Sequence, residues 1–334
     1  LWLPSRWVAI AFRDAIEGHY DTAWVPVGLL FIVALGVLSL SYLLFGFFYE
    51  LAYSRSCDTH QQLVLHAKKV WHFFSRWVPW LPSHTRAIVL KEYRVFFRDM
   101  PQLVQLLLLA GVYLVYLYNL RIFRLVEDVS AEQQAAWQSF IYVINVSMGA
   151  FVTTAASTRL VYPSISLEGK AYWMIQTCPH ALQRIMMIKF WTWFIPLGLL
   201  SSVVFLSGGL AIRLSGFELL VTFLAGWMLS TGIVGLGMGL GARFAFFDWE
   251  HSAQLAASFG SFIFMLSCIA LITANMVPVG FLLFIREPGM IGEHMTDTTW
   301  GLFASGCALI VIAIDLTVVR WSLNLGAKFL DDNR

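Results

Sequence analysis

The pattern of apolar and polar positions divides most of the chain into long apolar segments separated by shorter polar ones. A helix that crosses a membrane needs about 20 mostly apolar residues. Seven segments meet this requirement: 24–48, 101–123, 137–158, 190–212, 219–242, 255–285 and 299–319. The pattern therefore predicts an all-α fold, a polytopic membrane protein with about seven transmembrane helices.

The sixth of these segments, 255–285, is longer than a straight span requires and contains Asn275 and Pro278. An amide and a proline at membrane depth are tolerated where the helix is interrupted or lines a cavity. We therefore expect a break in this segment or a re-entrant end.

Composition excludes a soluble protein and narrows the classes of partner. Hydrophobic residues make up 59% of the chain and charged residues only 13%, whereas a soluble domain is about one quarter charged. The net charge of +2 is too small to indicate a nucleic-acid partner. The four cysteines are far apart and form no CxxC pair, so we expect no metal site.

The placement of the basic residues predicts the orientation. If residues 49–100 are cytoplasmic, 16 of the 22 Lys and Arg residues fall on the cytoplasmic side of the membrane. The positive-inside rule favours this arrangement. It places residue 1 outside the cytoplasm, so we expect at least one earlier span upstream of it.

Two charged residues fall inside the predicted spans. Arg121 lies near the end of its span and can extend to the interface, which leaves Asp315 as the one acidic residue at depth. A carboxylate there is costly unless it is paired, hydrogen-bonded or facing water. Two interpretations remain open for Asp315: a structural contact with the interface or a polar neighbour, or a position on a translocation route.

Residues 86–99 form the first polar segment that could take part in a mechanism. Basic residues recur there at helical spacing, and apolar side chains lie largely opposite. This pattern predicts an amphipathic helix on the cytoplasmic membrane surface, with its basic side directed at headgroups or at a partner. Asp99 can cap the next helix, and Pro101 fits the first turn of that helix. The basic side carries Lys91, Arg94 and Arg98.

Two further cytoplasmic segments carry unusual polar and aromatic residues. The loop 160–189 contains prolines and Trp173, which predicts a short helix that could dock a soluble partner. In the connection 243–254, His251 beside Glu250 is interpreted as an interfacial polar group. The glycines between residues 232 and 241 predict close helix packing.

The chain has no GxxxxGK[ST] phosphate-binding loop. Gly169 and Lys170 form a Gly-Lys pair, but Ser164 stands where the first glycine is required. We therefore expect this chain not to hydrolyse nucleotides itself.

The order of these segments resembles one half of an ABC-2-type transporter permease, of the bacterial ABC exporter permease family. The shared order is surface helix, span, external turn, span, coupling loop, span, span, cytoplasmic turn, span, external segment and span, over residues 86–322. The matching residues are Lys91, Glu92, Arg94, Arg98, Asp99, Gln102 and Gln105; Glu168, Gly169, Lys170, Trp173, Pro179 and Lys189; and Gly241, Ala242, Arg243, Phe244, Phe247, Asp248, Trp249, Glu250 and Gln254.

The resemblance implies a domain organisation and a role for each segment. Residues 1–49 would hold an external amphipathic segment and the last span of a preceding half, and 50–85 a cytoplasmic linker. Residues 86–334 would form a type V exporter-like six-helix domain. Its elbow helix would carry Lys91, Arg94, Arg98 and Asp99; its coupling loop would contact the ATPase through Glu168, Gly169, Lys170, Trp173 and Pro179; its cytoplasmic turn would carry Arg243, Asp248, Trp249 and Glu250.

The same resemblance implies the function and the partners. The chain would be the permease subunit of an ATP-driven exporter in the bacterial inner membrane, surrounded by lipids. It would be non-catalytic and without a cofactor, because ATP and Mg²⁺ would bind a separate cytosolic ATPase dimer. Its other half would be a preceding homologous permease half or a second permease copy.

Two other function classes remain as alternatives. A secondary transporter or channel would need ionisable groups in several spans, and the sequence shows only Asp315 at depth. An intramembrane enzyme would need paired catalytic groups at similar depth, and no such pairing stands out. Co-purification with an ATPase subunit would separate all three.

Overall fold

A computed structural model describes residues 4–58, 81–120, 131–173, 181–214, 216–249, 252–285 and 297–332. In these ranges the chain forms helices joined by turns, without β-strands. Seven of the helices are long and apolar enough to cross a membrane. The predicted fold class, an all-α protein with about seven transmembrane helices, is therefore confirmed.

The chain divides into two compact units, residues 1–79 and 80–334. The first unit holds α1 (Pro4–Ile16) and α2 (Tyr20–Asp58). Helix α1 ends where the His19 N–H donates to the Asp14 carbonyl at 2.8 Å across Gly18, which has a φ of 80°. Glycine adopts this left-handed conformation without the penalty that a side chain incurs, and it commonly ends helices in this way.

The second unit contains eight α-helices in its described residues. Two short 3-10 helices, Tyr162–Ser164 and Ser166–Ala171, lie between the third and fourth of them. The α-helices are α3 (Ser83–Arg98), α4 (Met100–Leu120), α5 (Ala131–Leu160), α6 (Ala181–Ala211), α7 (Gly216–Arg243), α8 (Ser252–Ala256), α9 (Phe259–Ile285) and α10 (Asp297–Asp332). The domain boundaries that the resemblance implies, 1–49, 50–85 and 86–334, stay a prediction.

Helix α7 lies at the centre of the second unit, and its glycines admit the neighbouring helices on opposite sides. A Cβ on Gly235 would lie 2.7 Å from the Val319 Cγ2 atom of α10. On the other side, a Cβ on Gly237 would lie 2.9 Å from the Val161 Cγ1 atom. Real Cβ atoms essentially never approach other atoms this closely, so glycine is required at these contacts. The close helix packing that the sequence predicts is therefore confirmed.

Helix α4 begins as the sequence predicts. The Gln102 N–H lies 3.4 Å from the Asp99 carboxylate, which caps the helix, and Pro101 occupies the first turn.

Helix α9 continues through both Asn275 and Pro278. These two residues therefore do not break the helix. The break expected in segment 255–285 lies instead at residues 257–258, between α8 and α9.

Candidate functional site

A cluster of four charged side chains joins three segments at the end of the second unit that is predicted to be cytoplasmic. We call Lys91, Glu92, Glu168 and Lys189 the ion cluster. The Lys189 Nζ atom lies 2.9 Å from the Glu92 Oε1 atom and 2.7 Å from the Glu168 Oε1 atom. Lys91 pairs with the other carboxylate oxygen of Glu168. The cluster therefore connects α3, the second 3-10 helix and α6.

Lys189 is the centre of the ion cluster and is only 1% exposed. Its ammonium group also donates to the Ser164 carbonyl at 2.7 Å, so each of its three N–H donors can have an oxygen acceptor. Two lysines and two glutamates make the cluster neutral overall. Neutrality and full hydrogen bonding are the conditions under which a buried ammonium group is tolerated.

The sequence of α3 places Glu92 on the helix face that packs inward. Ile88, Glu92 and Phe96 recur at intervals of four residues, so they share a face of the helix. Phe96 and Tyr93 pack edge-on against Trp193 of α6, with ring centroids 5.8 and 6.0 Å apart. These aromatic contacts hold α3 against α6, so that the Glu92 carboxylate, 5% exposed, reaches Lys189.

Tyr93 also compensates for a proline in α6. Pro196 has no N–H, so the carbonyl of Thr192, four residues earlier, lacks its usual helical donor. The Tyr93 hydroxyl donates to that carbonyl at 2.9 Å. Burial raises the pKa of Tyr93 to about 12, so the hydroxyl stays protonated, and therefore able to donate, well above neutral pH.

Replacing Tyr93 with phenylalanine is expected to destabilise the second unit. The change keeps the aromatic contact with Trp193 but leaves the Thr192 carbonyl without this donor, which costs about 1–3 kcal/mol. The measurement is the thermal unfolding midpoint of the detergent-solubilised protein. The control is Tyr118→Phe, the same change at a tyrosine that is 65% exposed. Equal midpoints for the two variants would contradict the assignment.

The loop between α5 and α6 also packs against the segment that follows α7. The Ser166 side chain accepts from the Phe246 N–H at 3.1 Å, and the Ser166 carbonyl accepts from the Trp249 indole at 2.7 Å. The rings of Tyr172 and Phe247 stack with centroids 4.3 Å apart. The loop 160–189 and the connection 243–254, two segments that the sequence singles out, are therefore in direct contact.

Gly169 has a specific role at this contact. Its φ of 54° and ψ of −140° are a conformation that side chains disfavour. A Cβ at this position would lie 3.8 Å from the Trp249 indole nitrogen, which is ordinary contact. The backbone conformation, and not lack of space, therefore makes glycine the suitable residue here.

The structure separates the site residues predicted from the sequence into inward and outward groups. Glu168 points inward and belongs to the ion cluster, and Lys91 joins it there. Lys170 and Trp173 are exposed, with Trp173 62% accessible. Pro179 and Glu250 lie outside the described residues. Four other residues of the predicted site are exposed: Arg94, Arg98, Arg243 and Asp248.

Glu92, Lys189 and Ser166 are site residues that the sequence did not single out for this role. The sequence position of Glu92 could have indicated this role, because it is a charged residue on the apolar face of an amphipathic helix. The position of Lys189 could have indicated it too, because this lysine directly precedes the apolar run of α6. No sequence feature indicates Ser166, since its contacts come from a segment 80 residues away.

A second polar contact ties α4 to α5 at the same end of the unit. The Arg159 Nε–H donates to the Gln105 side chain at 2.9 Å, and another guanidinium nitrogen donates to the Ala155 carbonyl at 2.7 Å. One of the two spaced glutamines noted in the sequence therefore anchors a helix pair. Within the described residues, no group of three His, Cys, Asp or Glu side chains is arranged to hold a metal ion.

Asp315 lies in α10 and is 1% exposed. Its carboxylate accepts from the Asn275 amide of α9 at 3.0 Å. A Cβ on Gly232 of α7 would lie 2.5 Å from the Asp315 Oδ1 atom, so glycine makes room for the carboxylate. The structure thus gives Asp315 a polar neighbour on an adjacent span. A role for Asp315 on a translocation route stays a prediction.

Comparison with known proteins gives a family but no individual relative. No curated protein and no solved structure matches the chain significantly. The model of one family, described as "Putative ATP-binding cassette", matches residues 1–330. This match spans nearly the whole chain and includes the ion cluster and every predicted span. The chain therefore belongs to this ATP-binding cassette family and is a multi-pass membrane component of an ABC transporter.

Proposed function

We propose that the chain is the transmembrane permease subunit of an ABC exporter of the ABC-2 type. The observation that carries the proposal is the arrangement around the coupling loop. This loop is bound to α3 and α6 through the ion cluster and to the segment after α7 through Ser166. A force applied to the loop would therefore act on three parts of the helical unit at once.

The bonds of the ion cluster suit the transmission of such a force. Charge-assisted hydrogen bonds are shorter and stronger than neutral ones. Lys189 lies in the third turn of α6, close to Pro196, where the helix lacks one backbone hydrogen bond. We propose that displacement of the coupling loop moves α3 and the start of α6 together, with Pro196 as the point where α6 bends.

ATP binding and hydrolysis are assigned to a separate cytosolic ATPase dimer, which would hold ATP and Mg²⁺. The chain itself has no GxxxxGK[ST] sequence, although the family description refers to ATP binding. The exposed side chains beside the ion cluster supply a docking surface for that partner. We define the docking surface as Lys170, Trp173 and Phe246, of which the two aromatic residues are 62% and 56% exposed.

The remaining assignments follow from the same role. The permease would lie in the bacterial inner membrane with lipids around its apolar helices, and the unit 80–334 would pair with a preceding homologous half or a second copy. Seven candidate spans and the long exposed apolar faces of α4 and α10 support contact with lipid or another helical unit.

Co-purification from the native membrane tests the proposal. We expect an ATPase subunit to remain bound to the tagged chain. We also expect the rate of ATP hydrolysis by the complex to change when the complex is reconstituted into a membrane. A chain that purifies without an ATPase and transports in response to an ion gradient would instead be a secondary transporter or channel.

Replacing Trp173 with alanine is expected to weaken the ATPase contact. Exposed aromatic residues often dominate such interfaces, and truncation of one costs about 2 kcal/mol or more, which is over tenfold in affinity. The measurements are ATPase association and the ratio of transport to ATP hydrolysis in proteoliposomes. Trp321→Ala is the control, because Trp321 is 60% exposed but lies on α10. Unchanged association and coupling in Trp173→Ala would remove Trp173 from the docking surface.

A further inference from the structure

The Asp315 and Asn275 pair presents an incomplete set of hydrogen bonds inside the helical unit. Both residues are buried, at 1% and 2% exposure. One bond joins them, from the Asn275 amide nitrogen to the Asp315 Oδ1 atom at 3.0 Å. The remaining oxygens, Asp315 Oδ2 and Asn275 Oδ1, have no hydrogen-bond donor among the described residues.

Both oxygens without a donor belong to the two groups that are already bonded to each other. An ionised carboxylate and an amide oxygen are acceptors only, so neither can satisfy the other. A proton on Asp315 Oδ2 changes this, because the hydroxyl can then donate to Asn275 Oδ1. The carboxylic acid and the amide would form a closed pair of reciprocal hydrogen bonds that leaves no acceptor of the pair unused.

The surroundings of the pair favour the neutral form. Helix α7 presents Gly232 to the carboxylate, and the Leu271 side chain of α9 lies beside it. A charge in such a setting is costly unless it has a partner, whereas a neutral hydrogen-bonded acid is tolerated.

The other titratable groups on the packed helices lie farther along them. Arg320 is five residues away on α10, about 7.5 Å at 1.5 Å per residue. Arg243 of α7 is eleven residues from Gly232, about 16 Å, and Glu218 is fourteen residues away, about 21 Å. Cys268 of α9 is seven residues from Asn275, about 10 Å, and is buried. On α6, Lys189 is bonded within the ion cluster.

We propose that Asp315 and Asn275 form a proton-binding site. In this site Asp315 is protonated at neutral pH, and its hydroxyl donates a hydrogen bond to the Asn275 side-chain oxygen. This site is independent of the proposed permease function. It belongs to α9 and α10, whereas the ATPase contact is assigned to the coupling loop.

Infrared difference spectroscopy of the reconstituted full chain tests the proposal. At neutral pH the wild-type protein is expected to show the carbonyl band of a protonated carboxyl group that Asp315→Asn lacks. Asp21→Asn is the control, because Asp21 is exposed at the start of α2 and the band is expected to remain. Asn275→Ala should shift the band, because the carbonyl oxygen of the Asp315 carboxyl group then loses its hydrogen bond from the Asn275 amide.

A second measurement avoids substitutions, in case Asp315→Asn does not fold. Solid-state NMR of wild-type protein with ¹³C-labelled aspartate carboxyl groups should show one protonated carboxyl signal at neutral pH. Only ionised aspartate signals, or a carboxyl band that is the same in wild type and Asp315→Asn, would overturn the proposal. Loss of the protonated signal when sodium or potassium replaces an organic cation would also overturn it, in favour of a metal-cation site.

Discussion

Replacing Lys189 with methionine is expected to cause the largest loss of stability at the candidate site. The substitution leaves the carboxylates of Glu92 and Glu168 buried with Lys91 as their only partner in the cluster, which gives a net charge of −1. Removing one partner of a buried ion pair costs about 3–5 kcal/mol. The measurement is the unfolding midpoint of the purified protein, with the fraction that is monodisperse on size exclusion as a second measure.

The charge balance of the ion cluster allows a sharper test than the single variant does. Glu92→Leu combined with Lys189→Met removes one positive and one negative charge, and the Lys91–Glu168 pair keeps the remainder neutral. We expect this double variant to recover much of the stability that Lys189→Met loses, because no unpaired carboxylate remains. Lys328→Met is the control, since Lys328 is exposed. Equal stability of Lys189→Met and Lys328→Met would contradict the structural role of the cluster.

The seven spans could be predicted because membrane insertion depends on the apolar length of each segment by itself. The ends of the helices could not, as α6 shows. Hydropathy places the start of this span at residue 190, whereas the helix begins at Ala181. Lys189 lies inside the helix because two carboxylates from distant segments neutralise it. A residue-by-residue scale counts the lysine as polar and cannot include partners that are distant in the sequence.

The candidate site was predicted as separate motifs, and the structure supplies their contacts. The family resemblance implied that Glu168 contacts the ATPase, but its side chain is turned toward Lys189. That assignment stays a prediction for the loop as a whole, of which Trp173 is the exposed part. Whether a charged residue points inward depends on oppositely charged groups that folding brings near, and spacing along one segment does not contain that information.

The other large effect is expected at the contact between α7 and α10. A Cβ on Gly239 would overlap the Ser322 carbonyl carbon and oxygen, so rotation of a side chain cannot relieve the overlap. The same contact includes a hydrogen bond from the Ser322 hydroxyl to the Gly235 carbonyl at 3.0 Å. Gly239→Ala would therefore force the two helices apart, at a cost of about 1–3 kcal/mol.

The matched control for Gly239→Ala is Gly280→Ala in α9. A Cβ on Gly280 would have no atom within 4 Å, so the control should be neutral or about 0.5–1 kcal/mol more stable, as alanine favours helix. Val318 and Leu236 belong to the same apolar cluster, so cysteines at these two positions would report the separation of α7 and α10 by crosslinking in each background. Because the overlap at Gly239 involves backbone atoms of Ser322, Gly239→Ala should reduce both the unfolding midpoint and the crosslinking yield. A Gly239→Ala protein that matches Gly280→Ala in both measurements would show that α10 does not pack on α7 at this residue.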